Sequence, residues 1–503
     1  MQGLDGLGFA APILIVAITG TLMLLITSFS ESGQDEGPML LVTGLTGLAI
    51  AFVFSIYKWD LDVSETYFAG LGVYDNFSIF LNVLFIGCTA LTLLISVDYL
   101  KKCEAERGEF YSLVFFAASG MMIMVSSTSM LIIFLGLEVM SICFYVLAGF
   151  LRERPRSTEA AMKYFLMGAF ATGIVFYGIV LLYGISGELD LVKFASWVKR
   201  QSENHGGVRN IPNHSILLLG AALVIIGFAF KVASVPFHMW APDVYEGAPT
   251  TVTAFMATGV KAAAMGAFLR ILMTALGPFH ADWATTLWWL AVLTMSVGNL
   301  VALTQTNVKR MMAYSSIAHA GYMLVGLCVL GSNAGAAILY YLFGYTFMNI
   351  GAFAVISFLE TKEGRGLSLD EYSGISSKYP VLCVAMAVFM FSLGGIPPTA
   401  GFMGKFYIFR AAISEGEYSL AIIGILNSLL SLFYYLRVLV RMYMDKPIPI
   451  AAGENISRPS PILTTAMAVS LAGTLWLGLG PKVGFGVDDI WNWAIQAQHS
   501  ILP

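Results

Sequence analysis

Along the chain, long apolar runs alternate with short polar connections, and a run of about 20 residues at ~1.5 Å rise reaches across a bilayer. Fourteen such runs fall near 9–29, 38–57, 76–97, 110–126, 129–151, 161–185, 215–241, 248–274, 284–304, 310–330, 335–359, 380–410, 418–442 and 460–480. Backbone amides in hydrocarbon must bond within their own segment, so runs of this length predict helices rather than the short alternating segments of a β-barrel. The expected fold is an all-α polytopic membrane protein. After the last run, Ile490, Trp491, Trp493, Ala494 and Ile495 stand among Asp and Gln in the tail 484–503, which predicts a short amphipathic segment along the interface.

Composition narrows the class. Of 503 residues, 58% are hydrophobic and 12% charged, and the mean hydropathy is +0.78. A water-soluble enzyme is excluded, because soluble chains carry roughly a quarter charged residues. A net charge of −4 with no basic stripe gives nucleic acid nothing to follow. Cys88, Cys103, Cys143, Cys328 and Cys383 are scattered without metal-ligand spacing and read as small apolar residues. The start MQGLDGLG lacks a positive n-region, so the first run is expected to be a retained span.

Basic residues set the expected orientation. The connections after odd-numbered spans hold the larger share of them, including Lys101, Lys102, Arg107, Arg152, Arg154, Arg156, Lys309, Arg310, Lys362 and Arg365. On the other side, Lys193, Lys199, Arg200 and Arg209 lie in or beside one long loop. Under the positive-inside rule the richer side faces the cytoplasm and both termini lie opposite.

A few charges fall where hydropathy should forbid them. Glu138 has about ten apolar neighbours on either side and cannot snorkel out. Lys231 and Lys261 are too deep for a lysine stem to reach water comfortably, so each needs a partner or a hydrated pocket. Lys405 is divided by depth alone between burial and snorkelling, since Arg410 follows closely. His319, with Ser315, Ser316 and Tyr322 at helical spacing, reads either as a proton relay or as a hydrogen-bonded packing residue; His238, beside Pro236, carries the same two readings.

Two of the lysines lie next to helix breakers. Pro236 follows Lys231, and Gly394-Gly395-Ile396-Pro397-Pro398 precedes Lys405. Each proline removes an amide donor and clashes with the preceding turn, so the seventh and twelfth spans should be discontinuous. Breaks five spans apart suit two inverted five-helix repeats, spans four to eight (110–274) and nine to thirteen (284–442), because an odd helix number flips the second copy. An N-terminal three-helix segment (1–109) and a last span with its tail (443–503) complete the expected division. Moving Glu138 and Lys231 apart or together would change the lysine's hold on a proton, with Lys261, His319 and Lys405 as the following stations.

The segment PFHMWAPDVYEGAPTTVTAFMATGVKAA (236–263) resembles the signature of the antiporter-like subunits of respiratory complex I, the proton-pumping NADH:quinone oxidoreductase. PDVYEGAPT together with SLGGIPPTAGFMGKFY (392–407) is most similar to its subunit N branch, counterpart of mitochondrial subunit 2. The resemblance runs over essentially the whole chain. It implies a fourteen-helix subunit in the membrane arm of a bacterial cytoplasmic membrane, beside other pumping subunits, moving protons with energy from redox chemistry elsewhere. Residue by residue it implies that Glu138 is the fifth-helix glutamate, and that Lys231, Lys261 and Lys405 are the seventh-, eighth- and twelfth-helix lysines. His319 then matches a polar position between two half-channels. It also implies that NADH, FMN, iron–sulfur clusters and quinone belong to other subunits and that this chain binds no cofactor or metal. The rival reading is a subunit of an Mrp-type Na⁺/H⁺ secondary antiporter, whose members read more like PDAHVEAPT at that place.

Overall fold

A helix that carries charge into the bilayer must be shielded from lipid by more apolar helices, and this sorts the spans into a polar centre and an apolar rim. The computed structural model describes residues 2–29, 37–57, 59, 65–331, 333–447, 458–479 and 487–501. Its helices are α1 (Gln2–Phe29), α2 (Gly37–Ile56), α3 (Asn76–Lys102), α4 (Gly108–Val125), α5 (Met130–Ala148), α6 (Pro155–Ser186), α7 (Leu191–His205), α8 (His214–Lys231), α9 (Trp240–Gly247) and α10 (Thr250–Phe255). They continue as α11 (Lys261–Thr274), α12 (His280–Ala302), α13 (Val308–Val329), α14 (Ala334–Leu359), α15 (Pro380–Gly394), α16 (Ala400–Ser414), α17 (Tyr418–Met444), α18 (Pro461–Gly478) and α19 (Val487–His499). Among the described residues, 13 spans are long and apolar enough to cross a membrane. The remaining expected span is the twelfth, divided between α15 and α16. The protein is a multi-pass helical membrane protein.

The span Thr250–Thr274, which holds Lys261 and Arg270, is wholly buried, and Val308–Val329 nearly so. Large apolar side chains on α6 and α17, Phe170 and Phe433 among them, point outward. Arg270 forms a buried ion pair with Asp75 at 2.7 Å and donates to the Val125 carbonyl at 2.9 Å. Asp75 also caps α3 by accepting from the Ser78 amide. A buried guanidinium is tolerated only when paired and hydrogen-bonded in this way, and the pair ties the end of α11 to the start of α3.

Three elements differ from the sequence expectation. Residues 65–74 form an antiparallel hairpin, β1 (Glu65–Tyr67) and β2 (Gly72–Tyr74), too short for a hydropathy window to register. The connection 186–214 contains the amphipathic helix α7. The C-terminal segment is helical and amphipathic as expected, but α19 packs on the protein itself: Trp491 stacks on Tyr407 at 4.0 Å, and Gln498 accepts from the Ala336 amide. Residues 484–486 and 502–503 of that tail, 448–457 of the loop before the last span, and Gly480 lie outside the described residues. Gly478 is a packing glycine, since a Cβ there would lie 2.3 Å from Thr399 Cα.

Candidate functional site

In the seventh span α8 ends at Lys231, Ala233 takes a left-handed backbone (φ 59°), and helix resumes only at Trp240. The break leaves backbone groups without helical partners, and α12 supplies one: the Thr294 hydroxyl accepts from the Val235 amide at 3.0 Å. Lys231 is therefore the last residue of a half-helix rather than mid-helix, where the carbonyl end of the helix dipole favours a cation. Its side chain is 2% exposed. The ammonium donates to Ser141 Oγ at 2.8 Å and lies 3.5 Å from Tyr145 Oη, both on α5.

Glu138 lies about one turn before Ser141 on the same helix. Its Oε1 is buried and has no hydrogen-bond partner among the described residues. The structure thus brings Glu138 and Lys231 to one site without bonding them, the ammonium's hydrogen bonds being spent on the two hydroxyls between. His238 lies half-buried in the break.

The twelfth span breaks in the same manner. α15 ends at Gly394, Gly395 has φ 86°, and α16 starts at Ala400. Lys405 reaches back across the gap and donates to the carbonyls of Leu393 (3.0 Å) and Gly394 (3.2 Å) and to Ser428 Oγ (2.9 Å). Burial at 4% exposure decides the question that depth left open. The lysine points inward because two helix-terminal carbonyls there lack intrahelical donors.

Lys261 opens α11 directly after a π-helical turn, Met256–Val260. Such turns displace the helix register and recur at functional sites. Its ammonium donates to both the hydroxyl and the carbonyl of Ser316 on α13. One residue away, Ser315 Oγ bonds Tyr435 Oη, which is 3.1 Å from His319 Nε2. His319 Nδ1 is 2.5 Å from Tyr341 Oη. A neutral imidazole carries one donor and one acceptor nitrogen, and a hydroxyl can serve either role, so a proton shift along this row leaves every member hydrogen-bonded. Tyr322 closes the row, presenting its ring to the Lys405 ammonium at 4.8 Å and packing edge-on to His319 at 5.7 Å.

The helices bearing these groups are neighbours: α8 packs on α11, α11 on α13, and α13 on α16. Lys261 and the Tyr435–His319 pair meet at the adjacent serines Ser316 and Ser315, and His319 and Lys405 lie on the ring of Tyr322, so these three groups are neighbours without one unbroken hydrogen-bond chain among the described residues. Between Lys231 and Lys261, the hydrogen bonds among described side chains form no continuous chain. Sequence reading missed Ser141, Tyr145, Tyr341 and Tyr435, whose hydroxyls are unremarkable in a helix; the spacing of Ser141 and Tyr145 after Glu138 was the available signal.

It also missed a buried carboxylate at the other end of α14. Glu360 is 1% exposed and accepts from Arg154 at 2.7 Å, from Tyr99 Oη at 3.2 Å and from Thr250 Oγ1. Lys309 sits beside it and donates to the Ala248 carbonyl at 2.6 Å. Burial alone would raise the Glu360 carboxyl, but the Lys309 charge, the Thr250 hydroxyl and the Arg154 guanidinium outweigh it and hold the group below its ordinary range.

Residues 127–431 match a family profile described as "NADH:quinone oxidoreductase/Mrp antiporter, TM". The chain is 46% identical over 474 residues to NADH-quinone oxidoreductase subunit N of Trichlorobacter lovleyi, an alignment covering 94% of each chain. It superposes with a TM-score of 0.77 and 32% identity on a chain of respiratory complex I from Thermus thermophilus with bound aureothin, covering 95% of this chain and 98% of that one. A chain of the Mrp complex from a Dietzia species shares the fold, with a TM-score of 0.83 at 20% identity, covering 98% and 97%.

Proposed function

Because this chain belongs to the subunit N family of NADH-quinone oxidoreductases, we propose that it is a proton-translocating membrane-arm subunit whose own residues perform no redox step. The observation that carries this reading is the row of titratable groups kept out of lipid, Lys231, Lys261, His319 and Lys405, none more than 4% exposed. NADH, FMN, iron–sulfur clusters and quinone are assigned to other subunits. This chain supplies the passage in a bacterial cytoplasmic membrane, with both termini on the non-cytoplasmic side.

Residues 110–274 and 284–442 act as two inverted halves, each offering one lysine at a broken helix. Glu138 biases the load on Lys231, and charge then moves inward to Lys261, past Ser316 to the Ser315, Tyr435 and His319 row, and out by Lys405. Water fills the interval between Lys231 and Lys261. The Mrp-type antiporter reading has less support: the family profile covers both kinds of protein, but the likeness to an Mrp chain is one of fold at 20% identity, against 46% identity to a subunit N.

The test uses membrane vesicles containing the complete enzyme, with NADH oxidation and vesicle acidification followed together. Glu138→Gln and Lys231→Met should lower protons moved per NADH oxidised. A full gradient per electron pair in both variants makes the pair structural and ends the proposal.

A further inference from the structure

The detached half of the seventh span, α9, is only eight residues long, and charges hold it from two sides. Asp243 accepts from Lys163 of α6 at 2.8 Å and from Arg310 of α13 at 2.8 Å. Glu246, one turn on, accepts from the same guanidinium at 3.0 Å. Lys163 has a second carboxylate, Glu159, at 2.7 Å, and Arg156 approaches Glu246 at 3.4 Å. These groups line a surface cleft of about 210 Å³ that also touches Ala160 and Gly247. The lattice joins one helix from each proposed half, and α9 is the piece between them.

What α9 touches on its inner side is the surroundings of Lys231. The Trp240 indole donates to the carbonyl of Phe230, the residue before Lys231, at 3.0 Å. Its ring stacks on Tyr164 at 4.7 Å and 14°. Tyr164 meets Tyr145 edge-on at 4.9 Å, and Tyr145 Oη is the group 3.5 Å from the ammonium. A run of aromatic rings, Trp240, Tyr164 and Tyr145, thus connects α9 to the lysine, and its first member rides on α9.

We propose that the Lys163–Asp243–Arg310–Glu246 lattice is a latch holding α9 and Trp240 over Lys231, and that its release opens a water path from the cleft to that ammonium. Asp243 is the central positioning residue, since it holds both α6 and α13 at 2.8 Å, whereas Glu246 reaches α6 only through the longer 3.4 Å contact with the exposed Arg156. The pairs are partly exposed, and pairs of that kind are individually weak, which suits a device that must open and close. Lifting α9 unstacks Trp240 from Tyr164 and leaves the Phe230 carbonyl with the Ala233 amide alone, so the helix end bearing Lys231 loses its lid and one of its restraints together. The inference rests on the relay reading for its purpose, but not for its measurement.

The complete enzyme carrying Ser141→Cys, one bond from Lys231, is treated in membranes with a small cationic methanethiosulfonate reagent. Labelling at position 141, told from the native Cys143 by fragmentation of that peptide, is timed by mass spectrometry. Adding Asp243→Asn should speed labelling at least tenfold. Lys163→Gln, a change at a surface side chain, should speed it by a smaller factor and serves if the first variant does not assemble. Asp243→Glu, which keeps a carboxylate for both partners, should return the slow rate. Unchanged labelling in the assembled Asn and Gln variants overturns the latch even where Lys231→Met abolishes pumping. Faster labelling beside intact pumping in Lys231→Met leaves the latch standing and removes the relay.

Discussion

Lys261 and Ser316 meet at the centre of the protein, the ammonium donating to both the hydroxyl and the carbonyl of that one serine. The arrangement holds the cation on α11 against the helix that carries His319. On the proposed relay, it also gives the lysine a partner that stays in place when the proton leaves.

Ser316→Ala deletes the hydroxyl and leaves the carbonyl. The lost bond to a charged donor contributes about 1.5–3 kcal/mol, so the variant should assemble, melt earlier in detergent and acidify vesicles more slowly. Lys261→Met removes the station itself and should abolish acidification while NADH oxidation with a soluble acceptor persists. Equal acidification by the two variants counts against a proton resting on this lysine.

Tyr435 bridges Ser315 and His319. In Tyr435→Phe both partners, already buried, lose a bond, a penalty of about 1–3 kcal/mol for each orphaned group. The double variant Tyr435→Phe/Ser315→Ala removes one orphan and should recover part of the thermal stability. It should not recover pumping, because the hydroxyl that links α13 to α17 is still gone. Recovery of both together means that the tyrosine only packs.

Much of this site is legible in the chain, for reasons that differ residue by residue. Glu138, Lys231 and Lys261 stand out because hydrocarbon penalises charge, and Pro236 and Pro397 mark the breaks because a missing amide cannot be hidden there. Lys405 is ambiguous in sequence because depth says nothing of direction; the free carbonyls of Leu393 and Gly394 supply the direction. The tyrosine hydroxyls are invisible to hydropathy, which counts them with the apolar residues around them. Glu360 is misplaced because it falls one residue beyond α14, where a connection is expected, and only tertiary packing buries it.

The Glu360 carboxyl lies below its ordinary 4.5 in the folded protein. A carboxylate with a depressed folded value contributes stability that is fully present above the unfolded value and is lost as pH falls through the folded one. The wild-type protein should therefore lose stability as the medium is acidified below about pH 4.5. Glu360→Gln should be less stable at neutral pH by about 3–5 kcal/mol, the usual cost of breaking a buried pair from one side. It should also show a flatter acid limb. Thermal melts of wild type and variant from neutral pH down to about pH 2 check both, and parallel acid limbs would assign the loss to other carboxylates.

Gly395 turns the chain between α15 and α16 with φ 86°, and a Cβ built there lies 3.1 Å from Lys405 Cδ and 3.3 Å from its Nζ. Two costs follow for Gly395→Ala. The left-handed backbone adds roughly 1–2 kcal/mol for an L-residue, and the methyl presses on the side chain whose ammonium caps α15. The first cost is shared by any left-handed glycine, so Gly416→Ala (φ 84°, nothing within 4 Å of the added methyl) is the matched control. Both variants should lose comparable thermal stability. Only Gly395→Ala should also lower the protons moved per NADH oxidised, because only there does the methyl disturb the lysine. A pumping defect of the same size in Gly416→Ala would trace the effect to backbone strain and leave the position of Lys405 without consequence for transport.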